Sequence, residues 1–173
     1  MSLQKVSYME VLSLQYPNIK AEASGDGSDY DGITWISGDP LPSKAQLDAD
    51  CDYHTHVRVW QAIKEKRDFL QGNGVKVGAN WFHSDVSSRV QQLALVMFAA
   101  NLPPGIMWKT MNGAFVPMTP TLAIQIFQAS AASDMAIFAA AEQHKALMMA
   151  SPDPTQYDFS GGWPATYTGN LLL

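Results

Sequence analysis

The sequence predicts an α+β fold in which three main helices pack with short antiparallel β-hairpins, with a small N-terminal helix–hairpin module in front. Three observations carry that prediction. Asn112–Gly113 stands between two strand-like runs (IMWKTM and AFVPM), the strongest short hairpin signal a sequence offers. Residues 93–100 (LALVMFAA) are apolar on every side, as expected of a helix at the centre of a core. Thr119 and Pro120 supply the N-cap and first-turn residues of a long alanine-rich stretch that runs to the SPDP breaker.

Composition sets the outer limits. The 173 residues fit one medium domain, or a domain with a small appended module, and suffice to bury a sizeable core. Hydrophobic residues make up 47% and charged residues only 16%, a sparse coat that points to surfaces covered by partners and hence to a homo-oligomer. A net charge of -5 argues against a nucleic-acid partner. Cys51 is the single cysteine, so no disulfide forms within the chain and a reducing compartment is expected. No uninterrupted apolar run reaches the length of a membrane span and the start lacks a signal-peptide core, so no membrane partner is expected. Met1–Leu3 resemble an expression remnant and carry no weight.

Taken in order, residues 7–15 form a short helix stopped by Pro17. Residues 19–23 and the ITWI run at 33–36 make a loose hairpin around GDGSDYDG. After the SGDPLPS break, Ser43 caps a helix with Leu47, Cys51 and His54 on one stripe. The stripe changes register at Val59, Trp60, Ile63 and Leu70, which predicts a kink or break between Asp52 and Arg58 and a boundary near Tyr53. Residues 1–52 then form the N-terminal module and 53–173 the main domain. QGNG ends the helix, with Gly72 or Gly74 left-handed. VKV and WFH make a first hairpin with Gly78 and Asn80 as turn formers, and Ser84 or Asp85 caps the next helix, Asp85 pairing with Arg89 one turn on. Pro103 and Pro104 close that helix. In the second hairpin a two-residue turn sets Met111 opposite Ala114, Thr110 opposite Phe115 and Trp108 opposite Pro117. The last pair is non-hydrogen-bonded, so residues 114–118 read as an edge strand. In the long helix Phe127, Ile137 and Phe138 supply bulk among alanines, and residues 157–173 form an irregular arm.

Four groups of side chains invite a chemical reading. His54 and His56 form an HxH next to Asp52, a metal pattern on a strand, but on a helix the imidazoles diverge by about 200°. His83, Asp85, Ser84, Ser87 and Ser88 contain the residue types of a hydrolytic triad without the GxSxG elbow, and capping explains Ser84 and Asp85 without chemistry. Asp26, Asp29 and Asp31 lie in a glycine loop that fails EF-hand spacing and reads as a solvated turn. Met97, Met107, Met111, Met118, Met148 and Met149 fill core gaps or line an adaptable surface, and Trp163–Pro164 covers the core. No catalytic residue, metal or cofactor is expected. The structural or contact candidates are Trp81, His83, Asp85, Arg89, Trp108, Asn112, Gly113, Pro117 and Trp163.

With VWQAIKEKRDFL, GVKVGANWFHSD, QQLALVMFAANLPPGIMWKTMNGAFVPMT, DMAIFAAAEQHKALM and YDFSGGWP in view, residues 57–167 resemble a family of uncharacterised domains from tailed bacteriophages and prophages, encoded near tail fibres. The first module, with LQYPN, DYDGITWI and PLPSKAQLDA, is similar to a short segment of tail fibre-associated proteins. The resemblance implies a non-enzymatic tail component, a fibre-associated or adaptor protein whose partners are other tail or fibre proteins. It would be present in the bacterial host cytoplasm during assembly and in the virion tail thereafter. The alternatives are a fibre assembly chaperone absent from the virion and a small metal-dependent or Ser/His hydrolase.

Overall fold

The computed structural model describes residues 3–38, 40–98 and 101–169. Met1 and Ser2 of the expected remnant, Asp39 of the SGDPLPS break, Ala99 and Ala100 of the apolar run, and residues 170–173 of the arm lie outside the described residues. The elements are α1 (Tyr8–Gln15), β1 (Lys20–Ala23), β2 (Ile33–Ser37), α2 (Lys44–Gln71), β3 (Val75–Val77), β4 (Asn80–Phe82), α3 (Val86–Met97), β5 (Met107–Lys109), β6 (Phe115–Pro117) and α4 (Pro120–Met149). The strands make three two-stranded antiparallel sheets, β1–β2, β3–β4 and β5–β6. Among the described residues the fold is therefore α+β, with two long and two short α-helices and three hairpins.

Two compact units divide the chain, Met1–Ala62 with Lys145–Asp158 and Ile63–His144 with Phe159–Leu173. In the first, Ser7 caps α1 by accepting from the Glu10 N–H while the Glu10 carboxylate accepts from the Ser7 N–H, a reciprocal box that satisfies two helix-end donors. Val11, Leu12, Ile33 and Leu47 are buried there, with Trp35 and Tyr30 packed against them. Burial of this cluster is the main force holding a hairpin too short to be stable alone.

The break allowed for between Asp52 and Arg58 is not there: α2 is helical without interruption over 28 residues. Leu47, Thr55, Val59 and Ile63 are all buried, and with half-buried Cys51 they form a single ridge at four-residue steps. Thr55 is the link that apolar patterning passes over. Its hydroxyl donates to the Cys51 carbonyl (2.7 Å) and accepts from the Val6 N–H (3.0 Å), so a polar residue sits in the ridge at little cost.

In the second unit Val75, Phe82, Met118, Ala123 and Ile126 form the buried cluster, with Leu95, Val96, Trp108 and Val116 packed against it. Gly78 (φ 59°) occupies the first turn position of the β3–β4 hairpin, as a type II′ turn requires, and Asn80 pairs with Val77 inside the ladder rather than turning the chain.

The second hairpin is shifted by one residue from the expected pairing. Met107 faces Pro117, Trp108 faces Val116 and Lys109 faces Phe115. The expected two-residue turn needs positive φ at both Asn112 and Gly113, and no described non-glycine residue has positive φ. The chain instead makes a wider turn in which the Gly113 N–H donates to the Thr110 carbonyl (3.0 Å) and Gly113 takes φ 84°. The Thr110 N–H then reaches the Ala114 carbonyl (2.8 Å), while the Met118 N–H reaches Ile106 (2.8 Å). These bonds fix Pro117 in a non-hydrogen-bonded position, as expected, although opposite Met107.

The largest correction concerns α3. It begins and ends close to expectation, but it is not a central buried helix, because Gln92 is its only buried residue. Leu95 and Val96 turn to the cluster, whereas Val86, Val90, Leu93 and Met97 are exposed, as is Phe98 at its C-cap. Within the second unit the β3–β4 and β5–β6 hairpins and α4 pack against the Leu95 and Val96 side of α3.

Candidate functional site

The stretch WFHSD, which contains the residue types of a hydrolase, builds a junction between three helices. Ser84 is buried; its hydroxyl donates to the Gln71 carbonyl at the end of α2 (2.6 Å) and accepts from the Gly74 N–H (2.8 Å). Asp85 caps α3, accepting from the Ser88 N–H (3.0 Å) and hydroxyl (2.6 Å). The Ser88 hydroxyl and then its N–H hold the Asp85 carboxyl below its ordinary range. The His83 carbonyl accepts from the Gln92 amide (2.7 Å). His83 lines a shallow hollow of about 310 Å³ with Ser88, Gln91, Met107, Trp108 and Lys109. The Ser88 hydroxyl thus points its proton at Asp85, whereas a triad would have serine donate to histidine and histidine to aspartate.

Arg89 does not pair with Asp85. Its guanidinium forks onto the Asp134 carboxylate of α4, with Nη2 at 2.9 Å from one oxygen and Nη1 on the other. Nη2 also donates to the Gln71 carbonyl (2.9 Å), and Nε donates to the Ser84 carbonyl. Asp85 is already saturated as a cap, and the fork geometry of arginine favours a carboxylate approached in its plane. One cation thus binds the end of α2, the start of α3 and the middle of α4.

Around this junction the closing arm is tied down at two points. Asn73 donates its amide to the Thr166 hydroxyl (3.2 Å) and Tyr167 carbonyl (3.0 Å) and accepts the Tyr167 N–H (2.8 Å). Tyr167 lies against Trp81, ring centres 5.9 Å apart, and donates its hydroxyl to the Met111 carbonyl (3.1 Å). Gly74 (φ 86°) is where backbone, Met111 and Tyr167 meet, leaving no room for a Cβ. Farther along, the Lys66 ammonium donates to the Phe159 (3.0 Å) and Ser160 (2.7 Å) carbonyls and lies 5.6 Å from the Trp163 ring centre. Trp163 stacks on His144 at 4.8 Å and donates its indole N–H to Phe159 (2.8 Å), and His144 Nε2 bonds the Gly161 carbonyl (3.0 Å). Trp163 is thus a clasp on Lys66 and His144 rather than a simple cover. Aromatic and glycine content marked the arm in the sequence, but nothing there singled out Lys66, Asn73 or Asp134.

The remaining candidates do not converge. His54 Nε2 contacts the Gln15 amide (2.6 Å), while His56 Nδ1 turns back to the Asp52 carbonyl (2.9 Å). Asp26 and Asp29 accept the N–H groups of Ser28 (3.0 Å) and Asp31 (3.1 Å), side-chain turns that shape the loop. Among the described residues no group of three His, Cys, Asp or Glu side chains is placed to hold a metal ion. A cleft of about 320 Å³ in the first unit is lined by Tyr8, Asp48, Cys51 and Thr55 among others. Burial, with Asp48, Asp50 and Glu10 nearby, pushes the Cys51 thiol up to about 11, so little nucleophilic thiolate is present there at neutral pH.

Several large apolar side chains are exposed. On α4, Ile124, Phe127, Met135 and Phe138 are exposed, with Ala131 between them on the same face. Phe138 is flanked by the Arg67 guanidinium at 4.8 Å. By length and composition α4 is apolar enough to cross a membrane. The methionines divide: Met118 and Met148 are buried, whereas Met97, Met107, Met135 and Met149 are exposed.

No curated protein and no solved structure matches the chain. Residues 54–161 match a family described as a domain of unknown function, DUF4376. As that match covers more than half of its length, the chain belongs to this family.

Proposed function

We propose that this protein is a non-enzymatic component of a bacteriophage or prophage tail, a fibre-associated or adaptor protein that works through contacts with other tail or fibre proteins. The observation that carries the reading is the exposed apolar face of α4, Ile124, Phe127, Met135 and Phe138, a surface whose size and character fit a protein partner. Gln125, Gln128 and Gln143 are exposed on the same helix, and such amides are costly in hydrocarbon but readily paired at a protein interface. The polar residues with the best claim to chemistry are engaged in caps and junctions, which is consistent with a binding role. The setting comes from the likeness of residues 57–167 to domains encoded beside tail fibres.

Mass spectrometry of purified tailed particles tests this. The expected outcome is the chain at an integral copy number per tail. Its absence from particles, with presence in the lysate, would transfer the assignment to a fibre assembly chaperone. Normal fibres on particles made without the gene would remove both roles.

A further inference from the structure

The exposed side of α3 has an internal symmetry. Val86, Val90, Leu93 and Met97 follow one another at steps of four, three and four, which places them in one stripe along the helix. These steps read the same in both directions. A two-fold axis crossing the helix between Gln91 and Gln92 therefore lays the stripe on itself, with Val86 against Met97 of a second copy and Val90 against Leu93. Each layer then joins a smaller side chain to a larger one, as close packing requires. We propose that α3 is the self-association surface of this protein, packing antiparallel on α3 of a second copy.

Two further observations select a second copy as the occupant. The stripe itself carries no charge, and Arg89 beside it is committed to Asp134, so the seam is apolar along its length, with Lys109 and His83 standing off it at the hollow beside Gln91. The area suits a reversible dimer. Val86, Val90, Leu93, Met97 and Phe98 are 45 to 81% exposed. Their whole exposed surface, about 550 Å² per copy, sets an upper bound of about 1,100 Å² for two copies, which places the contact at the small, reversible end of specific interfaces. The side of α3 opposite the stripe is anchored by Leu95 and Val96 on the second unit's core, so the seam is presented on a fixed helix. The inference does not depend on the tail assignment, since particle composition tests one and oligomeric state the other.

Light scattering during size exclusion of the full chain should give twice the 18.9 kDa chain mass. Leu93→Glu and Val90→Glu should each weaken association at least about tenfold with unchanged circular dichroism, because both positions are exposed in the single chain. Met135→Glu, on the exposed face of α4, should leave the dimer intact. In a Cys51→Ser background, mild oxidation should cross-link the double variant Val86→Cys, Met97→Cys but not Val86→Cys alone, whose two copies are separated by about 16 Å along the helix pair. A monomeric wild type at about 100 µM, or an oligomer indifferent to both glutamates, overturns the proposal. Cross-linking by Val86→Cys alone overturns the antiparallel arrangement.

Discussion

Arg89 concentrates more of the second unit's organisation than any other described side chain, because its donors reach Asp134, Gln71 and Ser84 at once. Replacing it by alanine leaves the partly buried Asp134 carboxylate with only the long Gln71 amide contact (3.4 Å) and removes a donor from the Ser84 and Gln71 carbonyls, the latter still held by the Ser84 hydroxyl. Arg89→Ala should therefore lower stability by about 2 to 3 kcal/mol, a fall in Tm of roughly 5 to 10 °C in a chain of this size. Arg89→Lys should recover no more than about half, since an ammonium keeps the charge but loses the fork. Thermal unfolding followed by circular dichroism measures both, and an alanine variant within about 0.5 kcal/mol of wild type would show the junction to be dispensable.

At the scale of elements, the closing arm depends on Lys66, whose ammonium is held by two carbonyls beside the Phe159 and Trp163 rings. Lys66→Met should free residues 159–163 and speed chymotryptic cleavage after Phe159 by about tenfold, the worth of roughly 1.4 kcal/mol of local opening. Lys76→Met, on the exposed side of β3, is the control that should change nothing. Elements whose signals are local were legible in the sequence: Ser7, Ser43, Asp85 and Thr119 cap helices as their types imply, and the hairpins turn near their glycines, although Asn80 lies inside its ladder and the second hairpin is one residue out of the expected register. Features set at a distance were not. Thr55 hid the continuity of α2 because a hydroxyl breaks an apolar stripe on paper and joins it in space. The apolar run in α3 read as the centre of a core, and the structure leaves much of it exposed, because an apolar composition does not say which neighbours, if any, will cover it. Asp134 carried no signal of its own, since its partner Arg89 stands 45 residues away in the chain.

For the molecule as a whole, stability should depend on pH in a way set by groups on both sides of neutrality. Glu10, Asp48, Asp85 and Asp153 all have carboxyls held below their ordinary range, chiefly by the Ser7 N–H, the Tyr8 hydroxyl, the Ser88 hydroxyl and the Thr155 hydroxyl respectively. A folded-state value below the unfolded one means that their contribution is complete above about pH 4 and is lost as pH falls through the folded values. Tyr8 and Tyr16 are raised, chiefly by donating to Asp48 and Asp50, and Tyr157 by burial. Their contribution is present below about pH 10 and is lost as pH rises through the folded values. Melts should give a flat Tm between about pH 5 and 9 with a fall on each side; a Tm still level at about pH 3 would contradict the acid limb.

The turn at Asn112 and Gly113 has a consequence for how the protein ages. An asparagine followed by glycine is the pair most prone to lose its amide, because an unhindered glycine nitrogen attacks the side chain and closes a succinimide ring. Here that nitrogen donates its hydrogen to Thr110, and Gly113 is fixed at φ 84°. The same bond that sets the register of the hairpin ties up the attacking atom, so the folded chain keeps its asparagine longer than the unfolded chain does.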